Sequence, residues 1–258
     1  MIVSRETSVL RNHPSRYTFH VKRETRTSQT PGTIGAEVRT LLERALTDLA
    51  FAPATQGFLD RMQRLAELLA LWGARTNLTA RPGDSAETTF HILDSLMLLV
   101  LAGHPEGASI RQALGEGRRV LDLGSGAGFP GLVLAAACGA HLTLCESRRK
   151  RASFLSVAIA EMGLDNAIVK STRAEATNAA GGYDALTARA VGDWPSLWRI
   201  AATVLRRGGL AILYLASDQR VDSKLARPFG FGDAQRLEYA IDRDGKPVSR
   251  SLLIFQKE

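Results

Sequence analysis

The sequence predicts an α/β protein: a Rossmann-like, mostly parallel sheet of seven strands with helices on both faces, preceded by a helical extension. Three observations predict it. From Arg118 onward, short apolar runs alternate with helical stretches, the signature of repeated βαβ units. The first of these runs ends in a glycine-rich turn. Before Arg118 the apolar residues recur instead at helical spacing.

The strands are expected at Val120–Leu123, His141–Cys145, Ala167–Lys170, Tyr183–Ala188 and Leu210–Leu215. Leu132–Ala137, Lys150–Met162 and Trp194–Leu205 separate them as helices. Two further strands, Arg236–Ile241 and Leu252–Gln256, flank an Asp244-Gly245 turn and form a closing antiparallel pair. In the extension, Leu41, Leu42, Ala45, Leu46 and Leu49 form one stripe. Phe58, Met62, Leu65, Leu68, Leu69 and Trp72 form a second, and both read as core packing. A loop over Ala74–Asp84 leads into a third helix near Glu87–Leu101, and Gly103–Gly107 breaks it. The expected division is therefore a basic disordered tail over 1–35, a helical extension over 36–110 and a cofactor-binding core over 111–258.

Composition bounds the function. The chain has 258 residues and 45% apolar content, enough for a core without disulfides. No apolar run approaches the ~20 residues that span a bilayer, so a soluble cytoplasmic protein is expected. Cys138 and Cys145 are not in a C-x-x-C, and no histidine pair has ligand spacing, so no metal is expected. The net charge is +7, and the first 35 residues carry six basic against two acidic side chains. That tail has a transit-peptide-like composition, but Glu6 and Glu24 argue against one. The mildly basic body fits a polyanionic partner.

The segment Val120-Leu121-Asp122-Leu123-Gly124-Ser125-Gly126-Ala127-Gly128-Phe129-Pro130-Gly131 joins the first strand to its helix. A dinucleotide loop needs G-x-G-x-x-G, yet the third position of that pattern is Phe129. G-x-G-x-G led by Asp122 points instead to S-adenosylmethionine. Asp122 ends the strand at the edge where open α/β sheets bind ligands, placed to receive an ammonium directly or through water. Gly124, Ser125, Gly126, Gly128 and Phe129 are the loop's candidate cofactor contacts. Glu146, after the second strand, is the candidate ribose ligand, and Ala174 and Glu175, after the third, lie where adenine is expected. Arg189 ends the fourth strand, facing the methyl; it is a candidate cofactor contact and a candidate catalytic residue that orients the reactants.

Other acceptor chemistries leave marks this chain lacks. Exocyclic amine methylation shows an Asn/Asp-Pro-Pro-aromatic motif after the fourth strand, where Ala188-Arg189-Ala190-Val191 stands. Cytosine C5 methylation needs a nucleophilic cysteine, and both cysteines are badly placed for it. The run Arg148-Arg149-Lys150-Arg151 favours RNA over a small metabolite. Lys150, Arg151, Arg173 and Arg250 are the candidate RNA-binding residues, with Arg75 and Arg81 as further cations. The alternatives are a small-molecule methyltransferase and a non-catalytic RNA- or nucleotide-binding module.

Several motifs together resemble a known family, the bacterial 16S ribosomal RNA guanine-N7 methyltransferases RsmG/GidB, over roughly Leu41 to Lys257. They are Trp72 to Ala80 with Asn77-Leu78-Thr79, then His91-Ile92-Leu93-Asp94-Ser95-Leu96, and then the Asp122–Gly131 loop. Lys150-Arg151 with Phe154-Leu155, Arg173-Ala174-Glu175, Ala188-Arg189-Ala190 and Arg250-Ser251-Leu252 complete the set. The resemblance implies a class I methyltransferase fold and N7 methylation of a guanine in 16S rRNA, with naked rRNA or the small subunit as partner and the chain acting as a monomer. The chain departs from the family at Ala216, where a lysine often follows the fifth strand, and in its basic tail. Guanine N7 carries a lone pair and no proton, so alignment of the reactants can supply most of the catalysis. His91 is then a candidate catalytic residue only in an orienting sense, and His91 and Asp94 otherwise read as packing residues.

Overall fold

The structure is a computed structural model, and it describes residues 20–21, 30–48, 55–73, 75–172, 181–189, 193–243 and 246–258. Helices α1 (Pro31–Asp48), α2 (Gln56–Gly73), α3 (Ser85–Ala102) and α4 (Ala108–Ala113) precede the α/β core. The core runs β2 (Arg119–Leu123), α5 (Gly131–Ala137), β3 (His141–Cys145), α6 (Arg149–Glu161), β4 (Ala167–Lys170), β5 (Tyr183–Arg189), α7 (Trp194–Val204), β6 (Leu205–Ala216), β7 (Gln235–Arg243) and β8 (Lys246–Gln256). A two-residue strand, β1 (His20–Val21), pairs in parallel with β7.

The strand order is β1-β7-β8-β6-β5-β2-β3-β4. Only β8 runs against its neighbours, β6 and β7. From β2 the chain adds β3 and β4 on one side, then returns to add β5 and β6 on the other. That reversal makes the carboxyl ends of β2 and β5 the topological switch point, the place where open α/β sheets bind ligands. β5 is buried along its length except at Arg189, as a central parallel strand covered on both faces should be.

The seven expected strands are present, with two large differences of extent, at β6 and at β8, which starts at Lys246 rather than Leu252. β6 begins at Leu205 rather than Leu210 because Leu205 pairs with Tyr183 across a register shift. The Asp184 carboxylate braces that shift, accepting from Arg118 (3.0 Å), Arg206 Nε (2.7 Å) and the Arg119 N–H (2.9 Å). The turn at 244–245 lies outside the described residues, but β7 and β8 pair up to Arg243 and Lys246 on either side of it.

The expected tail boundary at residue 35 is corrected. α1 starts at Pro31, and Ile34 is buried on the same stripe as Val38, Leu42 and Ala45. A Cβ on Gly35 would stand 2.7 Å from Glu67 Cγ, so α1 meets α2 closely at this point. The paired strand β1 also falls inside the expected tail. The stripe of α2 packs as expected, with Trp72 edge-on to Phe154 of α6 at 5.9 Å.

α3 is long and apolar enough to cross a membrane by composition, but 78% of that stretch is buried against the rest of the chain. A helix apolar on all sides belongs inside a core. Its three titratable groups, Glu87, His91 and Asp94, recur at i, i+4 and i+7 and so share one face. Cys145 is buried, its thiol donating to Thr172 O at 3.3 Å, and Cys138 is half-buried.

Candidate active site

The glycine-rich loop crosses the switch point between β2 and α5. Asp122 closes β2 and is buried. Its Oδ1 accepts the Thr187 hydroxyl of β5 at 2.8 Å, and its Oδ2 accepts the Gly131 N–H, at the start of α5, at 3.2 Å. Burial pushes this carboxyl up to about 6, against the pull of the neighbouring Ser125 and Thr187 hydroxyls and the Gly131 N–H. Asp122 therefore ties two neighbouring elements to the loop from below. Ser125, expected on the ligand, is turned inward: its hydroxyl donates to Asp122 O (2.9 Å) and its N–H to Cys145 O (3.1 Å). The Gly124 N–H donates to the same carbonyl at 2.9 Å.

Two of the loop glycines differ in purpose. Gly126 has φ +55°, and a Cβ built on it meets nothing closer than Gly124 O at 3.7 Å and an Arg151 guanidinium nitrogen at 3.8 Å. A side chain there would make ordinary van der Waals contact with both, so the positive φ, rather than crowding, is what calls for glycine. Gly128 has φ +90°, and its Cβ would lie 2.3 Å from Leu132 Cδ1, so this glycine serves packing. Pro130 caps α5, where its missing N–H is no loss.

Glu146 follows β3 and is turned to the loop. Its Oε2 accepts the Gly126 N–H at 3.1 Å and its Oε1 the Arg148 N–H at 2.8 Å. Each oxygen keeps acceptor capacity for a further partner.

On the β5 side, Arg189, His91 and Phe129 meet. Arg189 donates from NH2 to His91 Nδ1 at 2.5 Å. Its NH1 lies 3.3 Å from Asp94 Oδ2, an ion-pair distance without hydrogen-bond alignment. The Phe129 ring lies 5.2 Å from the His91 ring and 5.8 Å from the Arg189 guanidinium. Asp94, fully buried, also accepts from Tyr239 OH (2.7 Å) and from both Nε (3.1 Å) and NH2 (3.2 Å) of Arg250.

The expected RNA contacts divide. Arg148, Arg149 and Lys150 are exposed at the start of α6. Arg151 turns back, donating to Asn77 O at 2.5 Å beside Gly126. Arg250, expected as a phosphate contact, turns its guanidinium inward onto Asp94, a buried carboxylate that requires a nearby cation. Arg173, Ala174 and Glu175 lie outside the described residues.

Sequence reasoning passed over Glu87, Thr187 and Asn77. Glu87 was legible as the only acid one turn before His91 in an apolar helix. Thr187 contributes through strand register, which carries no sequence signal, and Asn77, inside the Asn77-Leu78-Thr79 motif, contributes through its backbone carbonyl, which the motif does not specify. Among the described residues no group of His, Cys, Asp and Glu could hold a metal ion.

A topological switch point, an acid-led glycine loop and an acid after the next strand define a class I methyltransferase. A structure from Galdieria sulphuraria, described as a sarcosine dimethylglycine methyltransferase, shares this fold: TM-score 0.52 at 14% identity, over 67% of this chain and 88% of that one. The family model GidB, rRNA small subunit methyltransferase G, matches residues 59–227, and the chain belongs to that family. Two relatives carry the name Ribosomal RNA small subunit methyltransferase G. That from Stenotrophomonas maltophilia (strain K279a) is 37% identical over 69% of this chain and 76% of its own length. That from Ralstonia nicotianae is 34% identical over 85% of this chain and 96% of its own.

Proposed function

We propose that this chain transfers the methyl group of S-adenosylmethionine to N7 of a guanine in 16S rRNA, free or within the small subunit, acting as a cytoplasmic monomer. The observation that carries the N7 reading is the state of the bases near the acceptor side. His91 has its Nδ1 lone pair engaged by Arg189, Asp94 is enclosed by two guanidiniums and a phenol, and Asp122 is bonded beneath the loop. Arg189 cannot accept a proton at all. Such a site suits an acceptor with no proton to lose, which N7 is. The relatives' name supports the rRNA class of substrate.

S-adenosylmethionine supplies the electrophilic methyl when bound. The open side of Gly124, whose Cβ would meet nothing within 4 Å, fits the close approach of a ligand to the backbone. Glu146 would accept the ribose hydroxyls through its remaining lone pairs. Asp122 favours the ammonium end electrostatically, from below the loop. Arg189, held from two sides, orients the acceptor, and Phe129 packs beneath it. Arg148, Arg149 and Lys150 attract RNA phosphates at the mouth, which favours RNA over a small metabolite.

The test uses purified protein, radiolabelled S-adenosylmethionine and either small subunits or 16S rRNA. Nucleoside analysis should find label in 7-methylguanosine. Label in any other nucleoside overturns the N7 reading.

A further inference from the structure

We propose that Glu87 and His91 form a positioning relay for Arg189, so that methyl transfer requires His91 in its neutral Nε2–H form. The inference rests on the reading of Arg189 given above. It comes from the direction of one hydrogen bond. A guanidinium only donates, so the Arg189–His91 bond of 2.5 Å obliges Nδ1 to be the acceptor. The ring proton must then sit on Nε2, which lies 3.7 Å from Glu87 Oε1.

Glu87 is itself fixed. Its Oε1 accepts the Arg81 N–H at 3.2 Å. Its Oε2 accepts Arg81 Nε at 2.7 Å and Arg243 of β7 at 3.3 Å. The His91 ring is clamped between Phe90 (5.7 Å) and Phe129 (5.2 Å). Arg189 is thus aimed by a chain of contacts that begins at the far end of α3, and His91 touches Arg189 rather than any reacting atom.

Protonation breaks the chain. The imidazolium would direct an N–H at the Arg189 N–H, setting two donors and two cations against each other. The charged groups facing His91 are Glu87 and Asp94 from its own helix and Arg189 from β5; Arg81 and Arg243 act on it through Glu87. Burial holds the imidazole below its ordinary value of 6.5, aided by Arg189 and opposed by Glu87 and Asp94. The active neutral form prevails above this lowered midpoint, and activity is lost as pH falls through it.

The test combines single-turnover methylation of rRNA from pH 5 to 8, at saturating S-adenosylmethionine and RNA, with 15N NMR of the five histidines. His91→Phe keeps the ring packing and removes the acceptor; the rate should fall at least tenfold with RNA and cofactor affinities unchanged. His91→Asn sets an amide oxygen near the place of Nδ1. It should recover to within about threefold of wild type and lose the acid limb, which separates His91 from Asp122, whose carboxyl is raised to about 6. Glu87→Gln should move the limb to lower pH, because the carboxylate favours the imidazolium. NMR should show one neutral Nε2–H ring whose Nδ1 signal shifts in Arg189→Ala. Wild-type rates in His91→Phe, an unchanged limb in His91→Asn, or an Nδ1–H tautomer each overturn the relay. A wild-type protein that fails to methylate rRNA overturns the functional reading instead, and the tautomer measurement then decides the relay by itself.

Discussion

Asp122 and Thr187 are register partners on the adjacent strands β2 and β5, and the hydroxyl of one bonds the carboxylate of the other at 2.8 Å. The same carboxylate receives the Gly131 N–H. It is a structural tie as well as a charge beneath the cofactor loop, and the two roles separate by substitution.

Burial raises Asp122 from 3.8 to about 6, so the folded chain holds this proton more tightly than the unfolded one. Its contribution to stability is full below 3.8 and is lost as pH rises through about 6. At pH 7.5 the ionised group is a net cost. Asp122→Asn can still accept from Gly131 and donate to Thr187. Thermal melts should find it more stable than wild type at pH 7.5, by roughly 1–3 kcal/mol, with the gap closing toward pH 4. Calorimetry should find S-adenosylmethionine bound about tenfold more weakly, because the charge facing the ammonium is gone.

Gly126→Val should abolish binding of S-adenosylmethionine and of its demethylated product, since a branched side chain at this turn would crowd the loop backbone at Gly124 and the Arg151 guanidinium. Its positive φ adds a strain of about 1–2 kcal/mol. Gly128→Ala should act the other way, lowering the melting temperature through the collision with Leu132. Equal binding of NAD by the wild-type protein would contradict the cofactor assignment.

The arginines of this site were legible as a class but not individually. Arg148-Arg149-Lys150-Arg151 and Arg250 read alike in sequence, as cations near the end of a strand or the start of a helix. Only the pairing Ala216↔Arg250 beside α3 shows that Arg250 lies across from Asp94. By contrast, the places of the glycine loop and of Glu146 at the strand ends were legible, because backbone turning and the strand–loop alternation are local; the inward turn of Ser125 and the packing of Gly128 against Leu132 were not. Ile34 was missed as helical because one apolar residue in a polar run carries no period until Val38 and Leu42 are added to it.

Neutralising Arg149 or Lys150 should weaken RNA binding and lower its salt slope by about one for each phosphate left without its cation. Arg250→Ala should instead lower stability by on the order of 3 kcal/mol, because Asp94 stays buried with a cation removed. Filter binding across a salt series and thermal melts distinguish the two. A salt slope altered by Arg250→Ala at unchanged stability would restore Arg250 as an RNA contact.

A chain starting at Ala36 should melt lower than one starting at Thr30. It loses the first turn of α1 and the burial of Ile34, worth about 1.5–3 kcal/mol. Equal melting temperatures would show that this turn does not contribute.

The central claim is tested most directly by mapping 7-methylguanosine in 16S rRNA from cells that carry this protein, lack it, or carry Arg189→Ala. The account predicts one modified guanine with the wild-type protein, and loss of that modification in both other strains while the variant still binds RNA. A modification that persists at full level without the protein would contradict it.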